Sequence, residues 1–179
     1  MNPIFSLLVV LLFTVFTPSL GLEIKDLKKE TSPSLMTLTI DYKTFYYNLD
    51  DKELITLFGG RNRKYLGRYW YWGESGYAAI QGKRHGYIEG GVILGYRRPL
   101  FNRFIWDGGI IIGAAGGGAS GLPEGDGLNI QTIMELGYQL TKSYSLSYLY
   151  GYTKFINGDI ESVLWGMNIG YNFNVLKGL

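Results

Sequence analysis

Large apolar side chains recur at every second position through most of the chain. From Asp159 to Asn174 the run Val163, Trp165, Met167, Ile169, Tyr171 and Phe173 alternates with Ser162, Leu164, Gly166, Asn168, Gly170 and Asn172. Period two places the bulky set on one face of a strand and the small or polar set on the other. The same pattern runs through Tyr144 to Thr153, where Tyr144, Leu146, Tyr148, Tyr150 and Tyr152 alternate with serines, Leu149, Gly151 and Thr153. It recurs from Leu128 to Leu140, and again at Met36, Leu38, Ile40 and Tyr42 against Thr37, Thr39, Asp41 and Lys43.

Clusters of Gly, Pro, Asn, Asp and charge punctuate these stretches at 48–52, 60–64, 82–84, 98–102, 118–126, 141–142 and 157–159. They predict eight strands near 34–47, 53–59, 65–81, 85–97, 103–117, 127–140, 143–155 and 160–174. The start of the chain reads differently. Ile4 to Phe16 is an uncharged apolar run closed by Pro18, and Ser19-Leu20-Gly21 supplies the small residues of a cleavage site. The expected organisation is a signal peptide over 1–21, an N-terminal periplasmic segment over 22–33 and a β-barrel over 34–179. No later segment reaches the roughly 18 apolar residues that a spanning helix requires.

Composition narrows the chemistry. The 179 residues include no Cys, 26 Gly, 15 Tyr, 9 Phe and 4 Trp, and 18% are charged. A disulfide framework and a Cys-ligated metal or iron–sulfur site are excluded. The net charge of +2 and the dispersed basic residues argue against a nucleic-acid partner. No cofactor is expected, and no metal-ligand set is recognisable.

The alternation leaves open which face is inside. The interior of an eight-stranded barrel is only just wide enough for side chains. The aromatic-rich rows would overfill it, whereas Gly, Ser, Thr, Asn and a few paired charges fit. The bulky rows therefore face lipid, as in a membrane barrel. Tyr69, Tyr71, Phe104, Trp106, Tyr138, Trp165, Tyr171 and Phe173 are expected on that surface. The opposite rows carry four acids (Asp41, Glu89, Asp107 and Glu135) and three bases (Lys43, Arg68 and Arg97). These nearly balance and are expected to pair as a charge network in the lumen, since isolated buried charges are costly. Short turns at 60–64, 98–102 and 141–142 are then periplasmic, and the other connections face outward.

Two local signals point to chemistry. Gly116 to Gly121 matches G-x-G-x-x-G, but a strand pattern follows where a dinucleotide site needs a helix. His85, the sole histidine, follows Lys83 and Arg84 at a turn, where a solvated side chain is the expectation.

The mature chain as a whole resembles the small eight-stranded outer-membrane barrels: the OmpA transmembrane domain, OmpX and the PagL-like lipid A deacylases. The ending Tyr171-x-Phe173 resembles the C-terminal signal read by the outer-membrane assembly machinery, here with six further residues after the aromatic. Tyr144 to Tyr152, followed by Asn157 to Ser162, is the part most similar to the deacylases. That resemblance implies a His-x-Ser pair on the strand, oriented by a downstream Glu. It offers Ser145 or Ser147 as nucleophile with Glu161 in support, but the strand carries no His. The resemblance thus implies an all-β, antiparallel up-and-down transmembrane barrel in the cell outer membrane, with no catalytic set. A structural or membrane-integrity role with at most a small surface-binding function is expected ahead of a deacylase-like hydrolase or a narrow pore. Its partners would be outer-membrane lipid, lipopolysaccharide and the assembly machinery.

Overall fold

The structure, a computed structural model, describes residues 35–48, 53–81, 86–117, 127–156, 158 and 160–174. The expected signal peptide, the whole of the expected periplasmic segment 22–33, His85 and most of the glycine-rich motif lie outside the described residues.

Eight antiparallel strands form one closed barrel in sequence order: β1 (Leu35–Asn48), β2 (Glu53–Tyr65), β3 (Trp70–Gln81), β4 (Ile88–Pro99), β5 (Phe104–Gly116), β6 (Gly127–Gln139), β7 (Tyr144–Phe155) and β8 (Glu161–Asn174). Closure is made by β8 pairing with β1, from Leu35↔Asn174 to Phe45↔Leu164. Every strand has two partners, so no edge of unpaired N–H and C=O groups remains, which a bilayer demands. Residues 66–69, 100–103 and 140–143 form short turns at the end where β1 begins and β8 finishes. The strand termini at Asn48, Glu53, Gln81, Ile88, Gly116, Gly127, Phe155 and Glu161 mark the other end, the loop end.

The outer wall is apolar. Leu38, Ile40, Val92, Leu94, Ile110, Ile112, Leu136 and Ile169 are all exposed on it. So extensive an exposed apolar surface is a liability in water and the expected surface in lipid.

The largest departure from the sequence pattern is in β2. The turn expected at 60–64 is continuous ladder, with Ile40↔Gly60, Thr39↔Arg61, Leu38↔Asn62, Thr37↔Arg63 and Met36↔Lys64. The chain reverses at 66–69 instead, closed by the Leu66 N–H donating to the Trp70 carbonyl at 2.9 Å. Gly-Gly-Arg-Asn-Arg-Lys resembles a turn locally, but its two arginines point into the lumen, where acids from distant strands receive them.

Candidate functional site

The barrel interior holds the only dense cluster of ionised side chains among the described residues, so it is the candidate site. Residues on the inner rows face one another across the lumen at successive levels. Nearest the short turns, the Tyr71 hydroxyl donates to Asp107 Oδ1 at 2.6 Å, and Asp107 Oδ2 lies 3.6 Å from Arg63 Nη2 and 3.8 Å from Arg97 Nη1. Arg97 also donates to Ser145 Oγ at 3.3 Å. At the next level, Glu135 accepts from Arg63 Nη2 at 2.8 Å, from Asn168 Nδ2 at 3.0 Å, and from Arg61 Nη1. Arg61 turns its other edge to Asp41, donating from Nε at 2.6 Å and Nη2 at 2.8 Å, while the Tyr77 hydroxyl donates to Asp41 at 2.7 Å. Higher still, Lys43 Nζ donates to Glu89 Oε1 at 2.5 Å and to Gln131 Oε1 at 2.9 Å. Its ammonium also sits 3.5 Å from the Tyr77 ring centroid.

The buried set is therefore Lys43, Arg61, Arg63 and Arg97 against Asp41, Glu89, Asp107 and Glu135. Charges are equal, and each charged side chain touches an opposite charge. Mutual pairing plus hydrogen bonds from Tyr, Gln and Asn is the arrangement that makes buried ions tolerable. Above the Lys43–Glu89 level the lumen becomes mainly apolar: Phe45, Ile55, Leu57, Tyr87, Phe155, Ile160 and Leu164 pack together toward the loop end, with Asn129, Thr153 and Ser162 buried on the same inner rows.

Six of the residues expected in the lumen, Asp41, Lys43, Glu89, Arg97, Asp107 and Glu135, are buried there. Arg68 is not: it lies in the 66–69 turn, exposed, with its guanidinium over the Tyr69 ring at 5.2 Å. Arg61 and Arg63 hold the places assigned to it. Both sit inside the segment read as a turn, and a strand reading of 53–65 would have put them on the inner row.

On the outer wall Tyr138 and Tyr171 are exposed, while Tyr69, Phe104, Trp106 and Trp165 are half-buried against other rings. Phe104 packs on Tyr138 at 5.3 Å, Tyr171 on Tyr144 at 5.1 Å, and Trp106 on Tyr96 at 6.2 Å. These contacts form a belt near the short turns, and Trp165 with Tyr46 (5.5 Å) begins a second near the loop end. Phe173 pairs with Met36 in the ladder, and its side chain lies outside the described residues. Tyr71 is a correction. Expected on the lipid face, it is 0% exposed inside the barrel. The inner row offers it space because β4 carries a glycine opposite: Tyr71 pairs with Gly95, and a Cβ on Gly95 would come within 2.3 Å of the tyrosine ring. Tyr77 lies likewise against Gly59, where a Cβ would meet its ring at 2.6 Å.

Ser145, Ser147 and Glu161 do not converge. Both serines are buried on the inner face of β7, packed so that a Cβ on Gly170 would meet Ser145 Oγ at 2.7 Å and one on Gly137 would meet Ser147 Oγ at 2.6 Å. Glu161 is on the outer face at the loop end, bound by Lys154 Nζ and by the Tyr152 hydroxyl, the latter at 2.6 Å. Ser147 pairs with Asn168, which puts Glu161 roughly 20 Å further along the strand at about 3.3 Å per residue. Nucleophile and orienting acid need hydrogen-bond reach, and these groups lie on opposite faces of the wall.

A closed antiparallel barrel of eight strands with an apolar belted exterior and a polar paired interior defines a small transmembrane β-barrel. Solved structures agree. The N-terminal β-barrel domain of Pseudomonas aeruginosa OprF is similar with a TM-score of 0.60 at 13% identity, over 78% of this chain and 98% of that one. The Yersinia pestis attachment invasion locus protein Ail gives 0.55 at 14%, over 79% and 100%. Neisserial surface protein A gives 0.55 at 10%, over 79% and 98%. At such identities the likeness is one of fold, and the fold is that of the eight-stranded outer-membrane barrels. No family model matches the sequence, and no curated protein matches it.

Proposed function

We propose that the chain is a resident barrel of the outer membrane that acts through its wall and rims, with a structural or membrane-integrity role and no catalysis. The observation that carries this reading is the filled lumen: eight ionised side chains cancel one another, and a mainly apolar cluster fills the barrel toward the loop end. A lumen built this way offers neither a water-filled path nor space for a substrate. The candidate serines are spent on packing and on Arg97. The surfaces left for function are the lipid-facing wall, which would meet phospholipid and lipopolysaccharide, and the outer rim. The aromatic end of β8 suits handover from the assembly machinery, because β8 is the strand that must find β1 to close the barrel.

Comparative lipidomics of outer membranes with and without the chain tests this directly. Lipid A acylation is expected to be unchanged, while resistance to detergents and large apolar antibiotics falls when the chain is missing. A change in acyl-chain number on lipid A would overturn the non-enzymatic reading.

A further inference from the structure

Among the described residues, one stretch of the outer wall carries charge away from the rims. Glu74 on β3 points outward, its side chain 60% exposed, with Lys64 Nζ of β2 as its ion partner at 4.0 Å. Beside it in the ladder is Asn62, whose carbonyl oxygen is covered yet accepts no hydrogen bond. Glu74 lies four residues above Trp70, about 10 Å along the membrane normal for a strand tilted roughly 40°. That is inside an apolar band about 25 Å tall. The other charged groups of the outer wall, among the described residues, sit at its ends: Arg98 beside the short turns, Lys154 and Glu161 at the loop end. An ionised side chain against acyl chains is costly and marks a functional surface. Next to this patch the wall is flat. Gly76 and Gly90 are ladder partners, and a Cβ at Gly76 would meet nothing within 4 Å.

We propose that the β2–β3 wall is the interface of a two-fold dimer within the membrane, formed with a second copy of this chain. The patch is complementary to itself. It holds one acid and one base on neighbouring strands: Lys64 stands two ladder positions nearer the short turns than Glu74, and its ammonium reaches to 4.0 Å from the Glu74 carboxylate, which brings the two charges to similar depth. A two-fold axis along the membrane normal, passing between β2 and β3, sets Lys64 of each copy opposite Glu74 of the other. Such an isologous contact satisfies both charges twice. The open surface at Gly76 allows the walls to approach closely, as small residues do in membrane interfaces.

The test uses two dye-labelled pools of the full chain, joined at an introduced Lys142→Cys, because the chain has no cysteine of its own. The pools are mixed in phosphatidylcholine vesicles and energy transfer is read as lipid is added. Wild-type pools are expected to transfer well above random proximity. Glu74→Lys alone and Lys64→Glu alone each place like charges across the axis, and each is expected to weaken association by roughly tenfold or more. Mixing the Glu74→Lys pool with the Lys64→Glu pool restores transfer, because only the mixed dimer has both pairs. Restoration on mixing excludes a purely intramolecular role for the pair. Heat-modifiable migration identifies folded barrels. If charge reversal blocks insertion, Gly76→Leu gives the independent test, and is expected to weaken association by holding the walls apart. Transfer at the random level in wild-type vesicles, or mixed pools that stay apart, would overturn the proposal and leave this face to lipid or to a different protein. Failure of the wild-type chain to insert at all would overturn the membrane reading itself.

Discussion

Arg61 carries the most demanding contacts in the lumen. Its guanidinium bridges Asp41 on one edge and Glu135 on the other, using the planar fork that suits arginine to two carboxylates. Arg61→Met keeps much of the volume and leaves two carboxylates buried without their main partner. Breaking one side of a buried pair typically costs about 3–5 kcal/mol, so the urea midpoint of the barrel in vesicles is expected to fall sharply. Arg68→Ala, at the exposed turn, is expected to leave that midpoint unchanged. An unaltered midpoint for Arg61→Met would show that water reaches the network. Gly95 makes a second point at this scale. A Cβ there collides with the Tyr71 ring at 2.3 Å, and that ring is wedged in the lumen by its bond to Asp107. Gly95→Ala is expected to destabilise by about 1–3 kcal/mol, the usual range for overpacking. The paired change Gly95→Ala with Tyr71→Leu should recover part of the loss in the same urea titration.

Strands differ in how openly the sequence announces them. β6, β7 and β8 are legible because one face meets lipid and the other a crowded lumen, so large and small residues alternate with few breaks, at Thr132, Ile133, Leu149 and Leu164. β2 is not, because Gly59 to Lys64 combines glycines with positive charge, and local chemistry cannot reveal that Asp41, Glu135 and Asp107 wait across the barrel. The run Tyr69 to Trp72 hides its own alternation, since four consecutive aromatics give no contrast between faces. Tyr71 was therefore expected outside, and the glycine that admits it inside lies on another strand. The seven buried apolar residues toward the loop end were likewise hidden by a rule that sends all large side chains outward. The revised β2 makes a measurable claim. Backbone amides of Arg61 and Arg63 are ladder members and are expected to exchange with solvent deuterium as slowly as those of β1. Gly67 and Arg68, in the turn, should exchange within the shortest labelling time. Fast exchange through 60–64 would restore the turn and expel both arginines from the lumen.

For the barrel as a whole, the order of layers decides what it can transmit. An ion entering from the short-turn end meets Arg63, Arg97 and Asp107, then Arg61 between its two acids, then the Lys43–Glu89 pair. All of these are neutralised within the wall and held by hydrogen bonds, so none is free to pass an ion along. Beyond them Phe45 and Tyr87 meet edge to face at 6.3 Å within the apolar plug, where a hydrated ion would have to shed its water. Two barriers of different kinds therefore stand in series, one electrostatically locked and one mainly apolar. Planar-bilayer recordings of the purified chain are expected to stay at the baseline of protein-free membranes. The series arrangement makes a sharper claim than closure alone. Truncating the plug with Phe45→Ala and Phe155→Ala opens space at the loop end and destabilises the fold by several kcal/mol, at about 3–5 kcal/mol for each buried Phe. Conductance is nevertheless expected to remain at baseline, because the ion pairs beneath are untouched. Steady currents of porin size in the wild-type chain would show that the network yields a water path. Currents appearing only in the truncated chain would assign the seal to the apolar layer alone and leave the ion pairs a purely structural part.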